Sequence, residues 1–170
     1  MIIFSHRTKT IRMVWRDVII RIETVLRNKI VRWGVETVSH TEVDGEWVEE
    51  QIVAYADNMG HKVDLDLIQL DGTYVAPDAI PGHFDTLLDL FVYRPSRYDC
   101  EDYAMTYKVL HALFTGVNTI GVVIDWGAGH AYNLIVLQSG DVVLYEPQTG
   151  EDVAPGQEKK YAFRNVEILI

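Results

Sequence analysis

Apolar residues recur every three or four positions near the start of the chain and predict an amphipathic helix. The repeated positions are Ile11, Val14, Trp15, Val18, Ile22, Leu26 and Ile30. Because these side chains would share one face, we predict a helix over residues 10–32. Several of them are β-branched, so a strand is the alternative interpretation. Alternation over residues 31–38 predicts a short strand.

Between residues 39 and 95 the hydrophobic period changes several times. The pattern predicts, in order, a helix over 45–59, a strand over 63–67, a loop over 71–83 and a helix over 84–93. Asp44 is placed to cap the first of these helices, and Gly60 is placed to end it. The second helix ends before Pro95, because a residue that precedes proline avoids the helical conformation.

The pattern is clearest in the second half of the chain. It predicts a helix over 100–115 followed by strands over 119–125, 130–137, 142–146 and 161–170. Tyr103 and Tyr107 lie on the buried face of this helix, and Gly116 ends it. A left-handed Gly140 would close a three-residue hairpin loop between the second and third strands. We therefore predict an α+β fold in which the helix packs on an antiparallel sheet.

The chain has 170 residues, of which 48% are hydrophobic, so it is expected to bury a core. We predict one compact domain in which residues 1–92, helical or mixed, pack on a core formed by 93–170. Charged residues interrupt every apolar run, so neither a transmembrane helix nor a signal peptide is predicted. The expected location is the cytoplasm, with association with a virion as the alternative.

The net charge of −10 argues against nucleic acid as a partner. The charge is uneven, because residues 1–33 hold eight Lys or Arg against two acids. This basic start fits an acidic partner or a membrane surface. Packing of the basic segment against the acidic remainder of the chain is the other interpretation.

Three residues with complementary chemistry follow one another in the predicted core. Cys100 begins the helix, His130 begins a strand and Glu146 ends the next strand. A helix N-terminus favours a thiolate, a histidine takes and returns its proton, and a carboxylate orients the imidazole. With a three-residue hairpin loop, the histidine and the glutamate share a sheet face, whereas a two-residue loop would separate them. The order predicts a catalytic triad for acyl transfer.

The predicted triad has candidate substrate-binding neighbours. Trp126 would form one wall of a pocket, and Gly129 would let a substrate backbone approach closely. The backbone N–H of Cys100 is a natural oxyanion donor, and Tyr98 or Tyr93 is a candidate for the second. The expected reaction is hydrolysis of a peptide, isopeptide or glutamine amide bond in a polypeptide substrate.

Three motifs together resemble a known family. Asp-Cys-Glu-Asp-Tyr-Ala, Gly-His-Ala-Tyr-Asn-Leu and Leu-Tyr-Glu-Pro-Gln-Thr-Gly are similar to motifs of bacterial transglutaminase-like cysteine peptidases. They are more similar still to the papain-like peptidase domain of a mushroom agglutinin and its phage and bacterial relatives. The resemblance covers about residues 93–150. It implies a papain-like or transglutaminase-like fold and assigns the triad to Cys100, His130 and Glu146.

One departure from the family pattern favours a different class of function. Papain-like enzymes usually carry a glutamine about six residues before the cysteine, and Arg94 stands there in this chain. The alternative is therefore a non-enzymatic structural or binding protein that keeps the fold with an inactive site. No cofactor is expected, and the histidines have no metal-ligand spacing. Calcium is considered as a ligand only because the agglutinin relative depends on it and the chain is acidic.

Overall fold

The computed structural model of the chain describes residues 39–60, 64–66 and 72–170, all within the compact unit Thr37–Ile170. The predicted helix over 10–32 and the predicted strand over 31–38 lie outside these residues. So does the basic segment for which an acidic partner or a membrane surface was considered. The boundary predicted between residues 92 and 93 stays a prediction.

The described part of the chain contains three helices and eight strands. In chain order they are β1 (His40–Asp44), α1 (Gly45–Asn58), β2 (Asp64–Asp66), β3 (Thr73–Pro77), α2 (Asp85–Leu88), α3 (Cys100–Phe114), β4 (Ile120–Asp125), β5 (His130–Val136), β6 (Val142–Glu146), β7 (Glu151–Val153) and β8 (Val166–Leu169). Asp44 caps α1 as predicted, since its side chain accepts a hydrogen bond from the backbone N–H of Glu46 at 2.8 Å.

Six of the strands form one sheet in the order β2-β8-β4-β5-β6-β7, and β1 pairs with β3 in a separate ribbon. Neighbours in the large sheet are antiparallel, except that β2 runs parallel to β8. The predicted α+β class is confirmed. The strand that begins with His130 therefore lies in the interior of the sheet, where both of its edges are paired.

Side chains on both faces of β5 are buried, which places helices on both sides of the sheet. Leu134 belongs to the apolar cluster that contains Ile52 of α1, whereas Ile135 belongs to the cluster that contains Tyr107 of α3. A strand buried on both faces has a continuous apolar sequence rather than an alternating one. A hydrogen bond of 2.9 Å from Asn133 Nδ2 to the carbonyl of Ala104 fixes α3 on this strand.

The hairpin between β5 and β6 has the predicted three-residue loop. Leu137 N–H donates to the carbonyl of Asp141 at 2.9 Å, and residues 138–140 lie between them. Gly140 has φ +89°, the left-handed conformation that glycine adopts without steric cost. Because this loop sets the register, Tyr145 pairs with Asn133, and Glu146 falls on the sheet face that carries His130.

Two predicted elements in the first half of the chain were wrong in part. The loop predicted over 71–83 contains β3, because Thr73–Pro77 pairs with β1. Strand β1 carries one apolar residue and gave no hydrophobic pattern to detect. The helix predicted over 84–93 is limited to Asp85–Leu88, and the apolar residues 90–93 that suggested its length are exposed.

The end of the chain also differs from the prediction. The last strand begins at Val166 rather than at residue 161. Phe163 and Asn165 have φ of 49° and 52°, and this left-handed conformation cannot continue an extended strand. Tyr161 and Phe163 are buried in the preceding loop, which explains why their apolar character suggested a strand.

Candidate functional site

Cys100 is the first residue of α3, as predicted. The chain enters this helix through a tight loop in which the N–H of Ser96 donates to Asp99 Oδ2 at 2.7 Å. The N–H of Asp99 in turn donates to Asp102 Oδ2 at 3.2 Å, so the two carboxylates stabilise the N-terminus of the helix. Cys100 is partly exposed, and it lines a cavity together with His130 and Ala131 at the start of β5.

His130 and Glu146 meet as the hairpin register predicted. His130 Nε2 lies 2.6 Å from Glu146 Oε2, which is the distance of a strong hydrogen bond or ion pair. The hydroxyl of Tyr161 donates to the same carboxylate oxygen at 3.0 Å, and the N–H of Gln148 donates to Oε1 at 3.1 Å. Three donors therefore satisfy a carboxylate that is almost completely buried.

Tyr161 fixes the imidazole as well as the carboxylate. Its ring lies edge-on to His130 with centroids 5.6 Å apart, and edge-on to Tyr132 at 5.4 Å. Burial, followed by the negative charge of Glu146, raises the pKa of Tyr161 above its ordinary value. Tyr161 thus stays protonated at neutral pH and acts as a hydrogen-bond donor, which makes it a positioning residue.

The thiol of Cys100 forms a hydrogen bond with a carboxylate. Its Sγ lies 3.2 Å from Glu101 Oε2, to which the S–H can donate. Burial and then the hydrogen bond to Glu101 raise the pKa of Cys100, while the backbone of Ala131 lowers it by less. A thiol with a raised pKa is protonated at neutral pH and is a weak nucleophile.

The turn between β4 and β5 is organised by the buried carboxylate of Asp125. Its Oδ2 accepts from the N–H of Phe163 at 2.6 Å and from the hydroxyl of Tyr132 at 3.3 Å, and its Oδ1 accepts from the N–H of Ala128 at 3.0 Å. A Cβ added at Gly127 would lie 2.7 Å from the carbonyl oxygen of Arg164. The turn before His130 and the loop before β8 are therefore packed backbone against backbone.

Two cavities meet at Cys100 and His130, which line both of them. The first, here called the Lys160 cavity, has a volume of about 240 Å³, and its further lining comprises Tyr93, Glu146, Gln148, Thr149, Lys160 and Tyr161. The second, the Trp126 cavity, has about 280 Å³, and its further lining comprises Glu101, Ile124, Asp125, Trp126, Gly129 and Ala131. We refer to the two cavities, which share Cys100 and His130, as the groove.

The groove contains most of the residues selected from the sequence. Cys100, His130, Glu146, Trp126 and Gly129 all line it. Tyr98 does not appear among the described lining residues of either cavity; its hydroxyl donates to Thr106 Oγ1 at 3.0 Å, and its ring packs on Tyr103.

Sequence reasoning did not select Asp125, Lys160 or Tyr161 for the site. Asp125 had a signal, since it is a carboxylate that ends an apolar strand next to a glycine-containing turn. Lys160 and Tyr161 lie in an irregular loop, and their place beside Glu146 depends on a contact between segments 15 residues apart. No local pattern encodes that contact.

The described part of the chain contains no group of three or more His, Cys, Asp or Glu residues that could hold a metal ion. Nor does any described helix combine the length and the apolar character required to cross a membrane.

No family model and no curated protein matches the sequence. Solved structures match the fold. One, described as a PSL1a–E64 complex, has a TM-score of 0.54 and 21% identity over 76% of this chain. Another, Polyporus squamosus lectin bound to the human-type influenza-binding epitope Neu5Aca2-6Galb1-4GlcNAc, has a TM-score of 0.56 and 16% identity over 76%. The match spans 51% and 49% of those chains, about half their length.

These neighbours overturn the assignment of the chain to a cysteine peptidase family. The structures that share its fold are a lectin and its complexes, so the predictions of an enzyme, a hydrolase and a thiol protease were wrong. Likeness at this level of identity shows a shared fold, and the function has to be argued from the groove itself.

Proposed function

We propose that the chain is a non-enzymatic binding protein that holds an extended segment of polypeptide in the groove beside Cys100 and His130. The observation that carries this proposal is that two cavities meet at these two residues. Each cavity alone is smaller than the roughly 300–1,000 Å³ of a typical small-molecule pocket. An elongated site with two chambers instead suits a ligand that places successive groups on either side of the junction.

The lining of the groove supports a polar, chain-like ligand. Gly129, in the turn before β5, has open space where a side chain would begin, so a backbone can approach the chain there. Trp126 is 62% exposed and offers an aromatic face at one end. Thr149 and Gln148 add hydrogen-bonding side chains at the other end.

The state of the thiol supports binding without turnover. Cys100 donates to Glu101, and its pKa is raised rather than lowered. Arg94, at the position of the expected oxyanion glutamine, takes part in a turn in which the N–H of Tyr98 donates to its carbonyl at 2.9 Å. The pair of His130 and Glu146 then serves to fix one wall of the groove.

The reactivity of Cys100 gives a first prediction. Because burial and then Glu101 raise the pKa of the Cys100 thiol, we expect the rate of iodoacetamide labelling to reach half its maximum above about pH 8.5. Glu101→Gln should shift the midpoint to lower pH, whereas Glu49→Gln, an exposed change on α1, should leave it unchanged. Mass spectrometry of the full chain measures the rate at each pH. A plateau already reached below pH 7, or turnover of a peptide, would contradict the proposal.

The single cysteine allows a direct test of the groove. Fluorescein-labelled hexapeptides are expected to bind to the chain, and fluorescence anisotropy measures the binding. Attachment of a bulky maleimide to Cys100 should abolish this binding, because the adduct fills the place where the two cavities meet. Cys100→Ser is the matched control, because it should bind the peptides and be insensitive to maleimide.

The same assay tests the ligand class. The trisaccharide that is bound by the Polyporus squamosus lectin serves as a competing probe. Because the proposal assigns the groove to an extended polypeptide, we expect the trisaccharide not to displace the labelled peptides. The peptide proposal fails if the trisaccharide binds in a maleimide-sensitive manner and the peptides do not bind.

A further inference from the structure

The two ends of the groove differ in charge. In the Trp126 cavity the lining includes the carboxylates of Glu101 and Asp125, and none of its described lining residues is Lys or Arg. The Lys160 cavity contains an exposed lysine, and the one carboxylate among its described lining residues, that of Glu146, is already hydrogen-bonded to His130. A bound chain would therefore meet opposite charges on the two sides of Cys100.

Among the residues that the structure describes, no Lys or Arg pairs with the carboxylate of Asp125. The three donors that approach its carboxylate are two backbone N–H groups and the hydroxyl of Tyr132, all of them neutral. Neutral donors bring no positive charge to offset the negative charge of a carboxylate. At this depth solvent screens the charge weakly, so its field reaches into the cavity.

The indole of Trp126 is held at the open side of the same cavity. Its Nε1 donates to Glu167 Oε2 at 3.2 Å, which adds a third carboxylate next to the ring. The ring itself remains 62% exposed. An exposed aromatic face bordered by carboxylates is the arrangement that attracts an ammonium or guanidinium group.

Resting on the proposed function, we infer that the Trp126 cavity takes a basic side chain of the bound peptide, with Glu101 and Trp126 as its specificity-determining residues. The cation lies against the indole face and is attracted by the carboxylates of Glu101 and Asp125. Lys160 disfavours the same residue at the other end of the groove, so the charges also set the direction in which the peptide lies.

The test compares peptides that differ only in charge. Acetylated, amidated alanine hexapeptides carry a single arginine, citrulline or glutamate at each position in turn, and their affinities are measured by competition with the fluorescein-labelled probe. Citrulline is the neutral isostere of arginine. For the best-placed position we expect about tenfold tighter binding of arginine than of citrulline at low salt, decreasing at 0.3 M salt.

Substitutions in the lining of the Trp126 cavity test whether the preference for arginine arises there. Glu101→Gln and Trp126→Ala should each reduce the arginine preference to threefold or less, whereas Glu49→Gln on α1 should retain it. If arginine and citrulline peptides bind equally well, or the glutamate peptide binds best, this inference is wrong and peptide binding stands. If none of the peptides binds, both the inference and the proposed function are wrong.

Discussion

Replacing Asp125 with alanine is expected to lower the free energy of unfolding by about 3–4 kcal/mol, because three donors lose a shared ionic acceptor. The N–H of Phe163 is the most affected, since its 2.6 Å hydrogen bond is to this carboxylate and Phe163 is completely buried. Urea denaturation of the full chain measures the change, and the melting temperature should fall by about 10 °C.

Two further substitutions make this measurement specific. Asp125→Asn keeps the shape but replaces one acceptor oxygen with a donor, so its cost should be smaller than that of alanine while remaining above about 1 kcal/mol. Asp152→Ala removes an exposed carboxylate on β7 and should change the stability by less than about 0.5 kcal/mol. A loss of less than 1 kcal/mol for Asp125→Ala would show that the carboxylate does not organise the turn.

Acid is expected to destabilise the protein through His111, which is completely buried on α3. Its ring packs against Phe84 and Tyr107, with centroids 4.7 and 4.5 Å away. Burial, followed by the neighbouring His83, lowers the pKa of His111 to about 3, and the Pro81 backbone opposes this weakly. In the unfolded chain the histidine has its ordinary pKa of about 6.5. Between these two pKa values the unfolded chain binds a proton at His111 that the folded chain does not bind.

The sign of the effect follows from that difference. Stability is highest above pH 6.5 and falls toward pH 3, with a slope that approaches about 1.4 kcal/mol per pH unit. Asp85, whose pKa is raised by burial, acts in the opposite direction, because the folded state holds its proton more readily than the unfolded state does. Its contribution is confined to acid pH and lost as the pH rises through its raised value.

The variant His111→Phe isolates the histidine. It keeps an aromatic ring in the cluster and leaves His83 and Asp85 in place, so the difference between its pH profile and that of the native chain belongs to His111. Unfolding free energies from urea titrations between pH 8 and pH 4 should diverge by about 2.7 kcal/mol over the two units below pH 6.5. Because phenylalanine is larger than histidine, His111→Leu serves as a second variant that does not overpack the cluster. Parallel profiles would show that protonation of His111 is not linked to unfolding.

The local part of the site could be predicted from the sequence. The apolar period of α3 and its acidic entry placed Cys100 at a helix start. The apolar run of β6 and the glycine at position 140 defined the hairpin, and its register put His130 and Glu146 on one face. These features depend on residues that are close in sequence, where backbone geometry fixes which side chains meet.

The prediction of a cysteine-dependent enzyme was wrong for a different reason. The same three side chains serve a catalytic or a binding site, and the motif carries no information on the state of the thiol. That state depends on the Glu101 carboxylate turning toward Sγ and on the burial of the thiol against β5. Both are consequences of packing, which the composition of the helix start does not determine.

The sequence by itself determined the α+β class, the hairpin and the meeting of imidazole and carboxylate, because each follows from short-range periodicity and turn geometry. Only the tertiary structure decided what surrounds them. Contacts between distant segments produce the loop that carries Lys160 and Tyr161, the neutral donors around Asp125, and the two cavities that meet at Cys100 and His130. Such contacts are selected by close packing and by the requirement that buried polar groups find partners, and neither leaves a periodic trace in the chain.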